Sequence, residues 1–368
     1  MERREFLRNS GLLSTALWAE TTPLYRNLKP AQLSRDTDRI LVVVELSGGC
    51  DGLNTIVPYR NPDYYKARPN LAIPAQKVLK ITDRFGFHPS LSAFKELYDN
   101  GHMAIVQGVG YPNPNRCHQR SMKIWHRGRL EEQASTDGWL AKYLDSEKNS
   151  REIQAAFVGT KVSGPLNCSI KSKSRNVVHS EHWIESFKNK IGYRKNTEYP
   201  DSYFGANLRT IADIVSADCG VKIFYTSISG FDTHIKQVEA GDKTKGIHSE
   251  LLTTVSSGIK AFLKDMKSMG KEKQTLIMAY SEFGRRLNEN ATLGTDHGTA
   301  GPMFFVGGKV RPGIYGEPPS LEKDQLDRVK DLVYKTDFRS AYSTVLSKWM
   351  GADPVSIMGG SLTLLRFV

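Results

Sequence analysis

The sequence has few cysteines, no long apolar run and no low-complexity segment, and each shortage removes a class of protein. Its four cysteines, Cys50, Cys117, Cys168 and Cys219, are widely separated, with no C-x-x-C pair and no zinc-finger spacing, which excludes a disulfide framework. No stretch reaches the roughly 18 consecutive apolar residues of a membrane-spanning helix, so the mature chain is expected not to cross a bilayer. With 31 Gly and 16 Pro it is not fibrous, and 39% hydrophobic with 24% charged residues is the composition of a globular protein. A chain of 368 residues makes one large domain or two ordinary ones, because cores beyond about 250–300 residues tend to split.

Acidic residues are also in short supply: 51 Lys and Arg face 39 Asp and Glu, a formal charge of +12. The excess is local. Asn115 to Arg129 holds Arg116, Arg120, Lys123, Arg127 and Arg129 with no acid, and Lys161 to Lys195 is basic apart from Glu181 and Glu185. Such fields attract anions such as phosphate or sulfate esters, acidic polysaccharide, nucleic acid or anionic lipid. The chain has no aromatic-basic RNA motif, so nucleic acid is not an expected partner.

The N-terminus reads Arg3-Arg4-Glu5-Phe6-Leu7-Arg8, followed by a short, weakly apolar stretch from Gly11 to Ala19. This is the layout of a twin-arginine export signal; the alternative is a basic, frayed helix. Leu17-Trp18-Ala19 lacks the small residue expected two positions before a cleavage point. Residues 1–38 are therefore read as signal and linker, with the twin-arginine translocase as partner and the periplasm or exterior as destination. That route carries folded proteins, often with metal already loaded, and so favours a metalloprotein.

In the body, 39–368, Ile40 to Leu46 is a continuous apolar, β-branched run of the kind found in a parallel strand covered on both faces. Further strands are predicted at Met103–Val109, Ala155–Gly159, Val221–Ile228, Thr275–Tyr280 and Met303–Val306. Helical patterns lie between them at Ser90–Asn100, Cys117–His126, Gly138–Ser146, Tyr203–Ser216, Ile247–Met269 and Phe338–Met350. This alternation predicts a single α/β domain with a mostly parallel sheet and helices on both faces. The polar, basic and poorly periodic stretch at about 164–200 reads as an insertion.

In open α/β sheets, ligands bind beyond the carboxyl ends of the strands, so the residues that follow each strand matter most. Asp51 stands in the glycine-rich Ser47-Gly48-Gly49-Cys50-Asp51-Gly52, where it can hold a cation or cap a turn. Arg116, Cys117, His118 and Arg120 open a predicted helix; Cys117 is there a candidate nucleophile or anion-site residue, or else a structural thiol beside surface arginines. Asp232 and His234, two apart on an extended segment, point to one face and can share a metal. Glu282 follows another strand, and Asp296-His297 precede the last. Each piece alone is compatible with a cap or a surface pair, but ligand-type residues in all five loops point to a metal or anion site. His88, His102, His126, His179, His182 and His248 have no comparable setting and read as structural or solvated.

Taken together, the twin-arginine start, Gly48-Gly49-Cys50-Asp51-Gly52-Leu53-Asn54-Thr55, Tyr111-Pro112-Asn113-Pro114-Asn115-Arg116, Phe231-Asp232-Thr233-His234, Ser281-Glu282-Phe283-Gly284-Arg285-Arg286, Gly294-Thr295-Asp296-His297-Gly298-Thr299-Ala300 and Asp337-Phe338-Arg339 resemble the domain-of-unknown-function 1501 family from about Arg39 to Val368. That family is similar to the alkaline phosphatase and sulfatase superfamily. The resemblance implies a sulfatase-like α/β core and one or two divalent cations (zinc, calcium, manganese or magnesium) held by Asp51, Asp232, His234, Glu282 and His297. It also implies in-line attack on an anionic small-molecule or glycan ester by Cys117 or a water, with Arg116 and Arg120 neutralising the non-bridging oxygens.

Three departures qualify this. Phe283 stands where a ligating His or Asn is usual, so that Asp296 or His118 would have to replace it. Cys117 stands where the family commonly has Ser, and Cys117-His118-Gln119-Arg120-Ser121 lacks the pattern that makes formylglycine. These features favour a rival expectation, a catalytically silent protein that binds anionic glycans or other anions. Replacing Arg3 and Arg4 together by Lys is expected to strand the protein in the cytoplasm, because the export receptor reads the guanidinium pair. Cell fractionation checks this, and unchanged export would show that the N-terminus serves another purpose.

Overall fold

The apolar run at the start of the body forms the central strand β1 (Ile40–Ser47), and its alternating side chains enter two different cores. The computed structural model describes residues 39–368 apart from 131–136, 147–154, 160–165, 167–176, 180–196 and 219, and only the backbone of 177–179. The export signal and linker, most of the basic insertion, Cys168, His182 and Cys219 thus lie outside the described residues. The other strands of the main sheet are β2 (Met103–Gly110), β3 (Ala155–Phe157), β4 (Val177–His179), β5 (Ile223–Ser229), β6 (Thr275–Tyr280), β7 (Gly301–Gly307), β8 (Gly313–Tyr315) and β9 (Thr336–Asp337). Their order is β8-β2-β7-β6-β1-β5-β3-β4, with β9 beside β2.

β1 runs parallel to β5 and β6, as do the remaining pairs except those of β7, which is antiparallel to both β6 and β2. The expected mostly parallel α/β sheet is therefore present. Ile40, Val42, Val44 and Leu46 face one layer, built by α1 (Ser92–Asp99), α4 (Tyr203–Ser216) and α5 (Ile247–Ser268). Leu41 and Val43 face the opposite layer, built by α2 (His118–Arg127), α3 (Trp139–Ser146) and α6 (Phe338–Thr344). Burying a Val, Leu or Ile side chain contributes about 1.5–3 kcal/mol, which is why this strand can organise both layers.

Several elements differ from the sequence reading for local reasons. β4 lies within the stretch read as an unperiodic insertion and pairs parallel to β3 at the sheet edge. The predicted helix at Phe338–Met350 changes at Thr344 into a π-helical turn, Val345–Trp349. The hairpin Arg285–Glu289 with Thr295–His297, and the small sheet of Ile56–Val57, Leu79–Lys80 and Gly86–Phe87, are too short to show periodicity. Among the described residues, no helix is long and apolar enough to cross a membrane.

Polar contacts also dock α2. His126 Nε2 lies 2.5 Å from Glu45 Oε2, a carboxylate buried in β1 that also accepts hydrogen bonds from the Tyr225 and Tyr280 hydroxyls. The residue before His126, Trp125, stacks its ring on Tyr280 at 5.0 Å. At its other end α2 carries His118, so the helix spans from a buried carboxylate to the strand-end loops.

Two histidines lie in the core below those loops. His88 Nδ1 accepts from the Ser90 amide, and His248 Nε2 lies 3.3 Å from Thr55 Oγ1 while its Nδ1 has no partner. Burial pushes His248 down to about 4, and burial with the neighbouring His248 pushes His88 down to about 3. In the unfolded chain both titrate near 6.5, so below that pH the unfolded state binds protons that the folded state does not. Stability is therefore expected to fall as pH is lowered from about 6.5 towards 4, read as a falling urea midpoint. His248→Gln should make that slope shallower; an unchanged slope would show that these imidazoles are not its source.

Candidate metal centre

Four loops meet beyond the strand ends because glycine lets them touch. Gly48, just after β1, has φ +124°, and a Cβ there would lie 2.3 Å from the Asp232 backbone nitrogen in the loop after β5. Only glycine allows that approach. The Gly48 amide donates to both carboxylate oxygens of Glu282 at 2.9 and 3.2 Å, and Ser281 Oγ donates to Glu282 Oε2 at 3.1 Å. Glu282 is fully buried, and its Oε1 also lies 2.8 Å from His118 Nδ1 in the first turn of α2.

Three imidazoles share one arrangement. His118 Nδ1 faces Glu282, His297 Nδ1 lies 2.7 Å from the Arg116 carbonyl oxygen, and His234 Nδ1 lies 3.2 Å from Asp296 Oδ1. Carbonyl and carboxylate oxygens only accept, so each Nδ1 carries a hydrogen and each neutral ring presents its Nε2 lone pair. All three Nε2 atoms surround Asp232: His297 at 3.0 Å and His234 at 3.1 Å from Oδ1, and His118 at 3.5 Å from Oδ2. Donor atoms of His118, Asp232 and His297 lie within 4.8 Å of one another. His234 Nε2 is 2.8 Å from His297 Nε2, a contact that two lone pairs tolerate only with a proton or cation between them. The donor set, with its outer oxygen partners, fits a bound cation.

Asp232 is held ionised by Arg285, a buried residue whose Nη2 reaches Asp232 Oδ1 at 2.7 Å. Burial pushes the Asp232 carboxyl up, but the His297 imidazole when it carries a proton on Nε2, together with the hydrogen bond and charge of Arg285, outweighs it and holds it at about 2. The same guanidinium donates to the carbonyls of Gly48, Gly49, Phe231 and Thr295, so one side chain ties together the loops after β1 and β5 and the hairpin. His118 is pushed up by its hydrogen bond to Glu282, against the effect of burial.

The structure thus brings together His118, Asp232, His234, Glu282, Asp296 and His297, with Glu282 and Asp296 orienting imidazoles from outside the ring of donors. Asp51 stands apart, against the expectation of a metal ligand. Its Oδ2 takes Arg68 Nη1 and Gln237 Nε2, both at 2.6 Å, and its Oδ1 caps the short helix Gly52–Thr55 through the Leu53 and Asn54 amides. No lone pair is left for a cation. The Arg116 guanidinium is likewise committed elsewhere, to Asp331 at 2.8 and 3.0 Å and Asp327 at 2.8 Å; its carbonyl, not its charge, serves the cluster. Cys117 is exposed at the cap of α2 beside His118, Arg120 is exposed on the same helix, and Cys50 is buried. Phe283 packs against the rings of His118 and His297, with centroids 4.9 and 4.7 Å away, as an apolar wall.

Sequence reasoning missed Arg285, Arg68 and Gln237. Arg285 stands in a motif read for its Glu282, and the one sequence mark of its close-packed setting is the preceding Gly284, where in the structure a Cβ would lie 1.9 Å from the Ala300 carbonyl. Arg68 and Asp51 are a wholly buried ion pair, and removing one partner of such a pair costs about 3–5 kcal/mol. Asp51→Asn should lower stability by about that amount while leaving the metal content of the protein unchanged. Denaturant titration and elemental analysis check both; loss of metal with intact stability would return Asp51 to the ligand set.

At 10% identity and a TM-score of 0.43, the chain is similar to the C-terminal periplasmic domain of EcEptC from Escherichia coli in complex with Zn, covering 83% of this chain and 81% of that one. It is similar to the phosphonate monoester hydrolase SpPMH from Silicibacter pomeroyi at 10% identity, over 89% and 78% of the two chains, with a TM-score of 0.44. For a protein in the alkaline phosphatase superfamily from Vibrio parahaemolyticus the values are 10%, 88%, 70% and 0.44. No curated protein matches the chain in sequence. Residues 185–348, which contain Asp232, His234, Glu282, Asp296 and His297, match the model of the family described as a protein of unknown function, DUF1501, the family that the motifs of the sequence resemble.

Proposed function

We propose that the protein is an exported, metal-dependent hydrolase of phosphate or sulfate esters. The observation that carries this reading is the set of three imidazoles, each with its Nδ1 hydrogen on an oxygen, that turn their Nε2 atoms towards one ionised carboxylate. His118, Asp232 and His297 would hold a divalent cation with His234 beside them, and a donor set rich in imidazole favours zinc over calcium or magnesium. When bound, such a cation polarises the ester oxygens and stabilises the leaving oxygen. Glu282, Asp296 and the Arg116 carbonyl keep the imidazoles in one tautomer and orientation, and Arg285 keeps Asp232 ionised. Phe283 closes one wall against water. Cys117, the exposed thiol next to His118, is the candidate nucleophile towards phosphorus or sulfur.

A second reading, a silent protein that binds anionic glycans, is favoured by one observation. The Arg116 guanidinium, expected to neutralise the ester oxygens, is occupied by Asp327 and Asp331.

Elemental analysis of the purified protein is expected to find divalent metal in His118, Asp232 and His297-dependent form, lost in His297→Ala and in Asp232→Asn. A protein purified without chelator and free of metal would sink the hydrolase. Turnover of aryl phosphates or sulfates should disappear with chelator and in Cys117→Ala, and should survive in Cys117→Ser. Metal-replete wild type and Cys117→Ser both inert towards a broad ester panel would leave the binding reading in its place.

A further inference from the structure

The His297 ring is oriented by a carbonyl that no regular element holds. Its Nδ1 lies 2.7 Å from the Arg116 carbonyl oxygen, and Arg116 stands in the irregular segment between β2 and α2, outside both the sheet and the helical ladder. A backbone oxygen in such a segment keeps one position only where the side chains around it are anchored. The Arg116 side chain is anchored at its far end. Its Nε and Nη2 donate to Asp331 Oδ2 at 3.0 and 2.8 Å, and Nη2 also donates to Asp327 Oδ2 at 2.8 Å.

The two carboxylates belong to a turn that is closed on itself. Asp327 Oδ1 accepts the Val329 and Asp331 amides, both at 2.9 Å, and the Asp327 amide donates to the Asp331 carbonyl at 2.9 Å. Asp331 Oδ1 accepts the Leu332 amide at 2.7 Å. Each carboxylate thus gives one oxygen to the turn and the other to Arg116, and the Asp331 side chain is wholly buried. Beyond the turn, the Leu332 carbonyl accepts from the hydroxyl of Thr299, two residues after His297. The turn therefore grips both the residue whose carbonyl fixes the imidazole and the segment that carries the imidazole.

We propose that Asp327 and Asp331 are positioning residues of the candidate metal centre, acting through Arg116 to hold its carbonyl on His297 Nδ1 and so aim His297 Nε2 at the cation. The inference rests on the reading of the imidazole cluster as a metal centre. Oxygen partners of metal-ligating imidazoles set tautomer and ring direction, and loss of such a partner costs about 10–100-fold in metal affinity. The two carboxylates lie one step further out, so the lower end of that range is expected. Charge alone predicts another sign for Arg116: removing a cation near a cation site leaves metal affinity equal or raises it, whereas removing an anchor lowers it.

The test is the zinc affinity of the full chain, measured by competition with a chromophoric chelator, alongside urea midpoints. Arg116→Gln and Asp331→Asn are each expected to bind zinc about tenfold more weakly than wild type. Asp327→Asn changes the partly exposed partner, where folding is not at stake, and should weaken binding about threefold, the scale of a partly exposed ion pair. Asp51→Asn, which breaks a buried pair away from the cluster, should lower the urea midpoint and leave zinc affinity unchanged. Zinc bound as tightly by Arg116→Gln and Asp327→Asn as by wild type, tighter binding in Arg116→Gln, or an equal loss in Asp51→Asn would each overturn the inference and leave the metal centre standing. Wild type that binds no zinc would instead sink the metal centre, and the inference with it.

Discussion

The loops around the candidate metal centre depend on one buried cation. Arg285 has a planar fork with five N–H groups, and the strand-end loops supply the acceptors: four carbonyl oxygens and one carboxylate. A lysine offers a single point of charge and cannot bridge them. The irregular backbone after β1 and β5 would otherwise present carbonyls with no partner in a water-poor place. Without the guanidinium, Asp232 would lose its nearest permanent positive charge, and the loops would lose the reason to adopt one conformation.

The fold was largely legible because long apolar runs carry strong signals. Thr275–Tyr280 occupies the residues its pattern assigned, and the alternation of strands and helices led to the parallel sheet. β4 and the short hairpin gave no such signal, since strands of three to five residues hold too few alternations to count. The direction of β7 was also invisible: an apolar strand reads the same whichever way it runs.

The candidate site was legible as a list of residues and not as a set of roles. A carboxylate after a strand looks the same whether it would meet a cation or hold the imidazole that does. Glu282 and Asp296 are of the second kind, and only the distances from their oxygens to Nδ1 atoms distinguish them. Asp51 was misleading for a related reason. Its glycine-rich surroundings suggest a ligand's approach, yet the partner that neutralises it, Arg68, sits 17 positions later in a segment with no motif. Long-range pairing of this sort leaves no periodic trace.

The antiparallel entry of β7 has a consequence for how the centre is assembled. Because this strand runs against its neighbours, the chain delivers Asp296 and His297 before it enters the sheet, whereas the other donors leave strands or open a helix. The imidazole of His297 is therefore fixed only when β7 slots between β6 and β2, which brings together segments about 200 residues apart in sequence. A nascent chain that has emerged only as far as β6 holds His118, Asp232 and His234 with an incomplete ring of donors. A cation held by His118, Asp232 and His297 would in this way have to await the entry of β7, with β8, β9 and α6 still to follow in the chain.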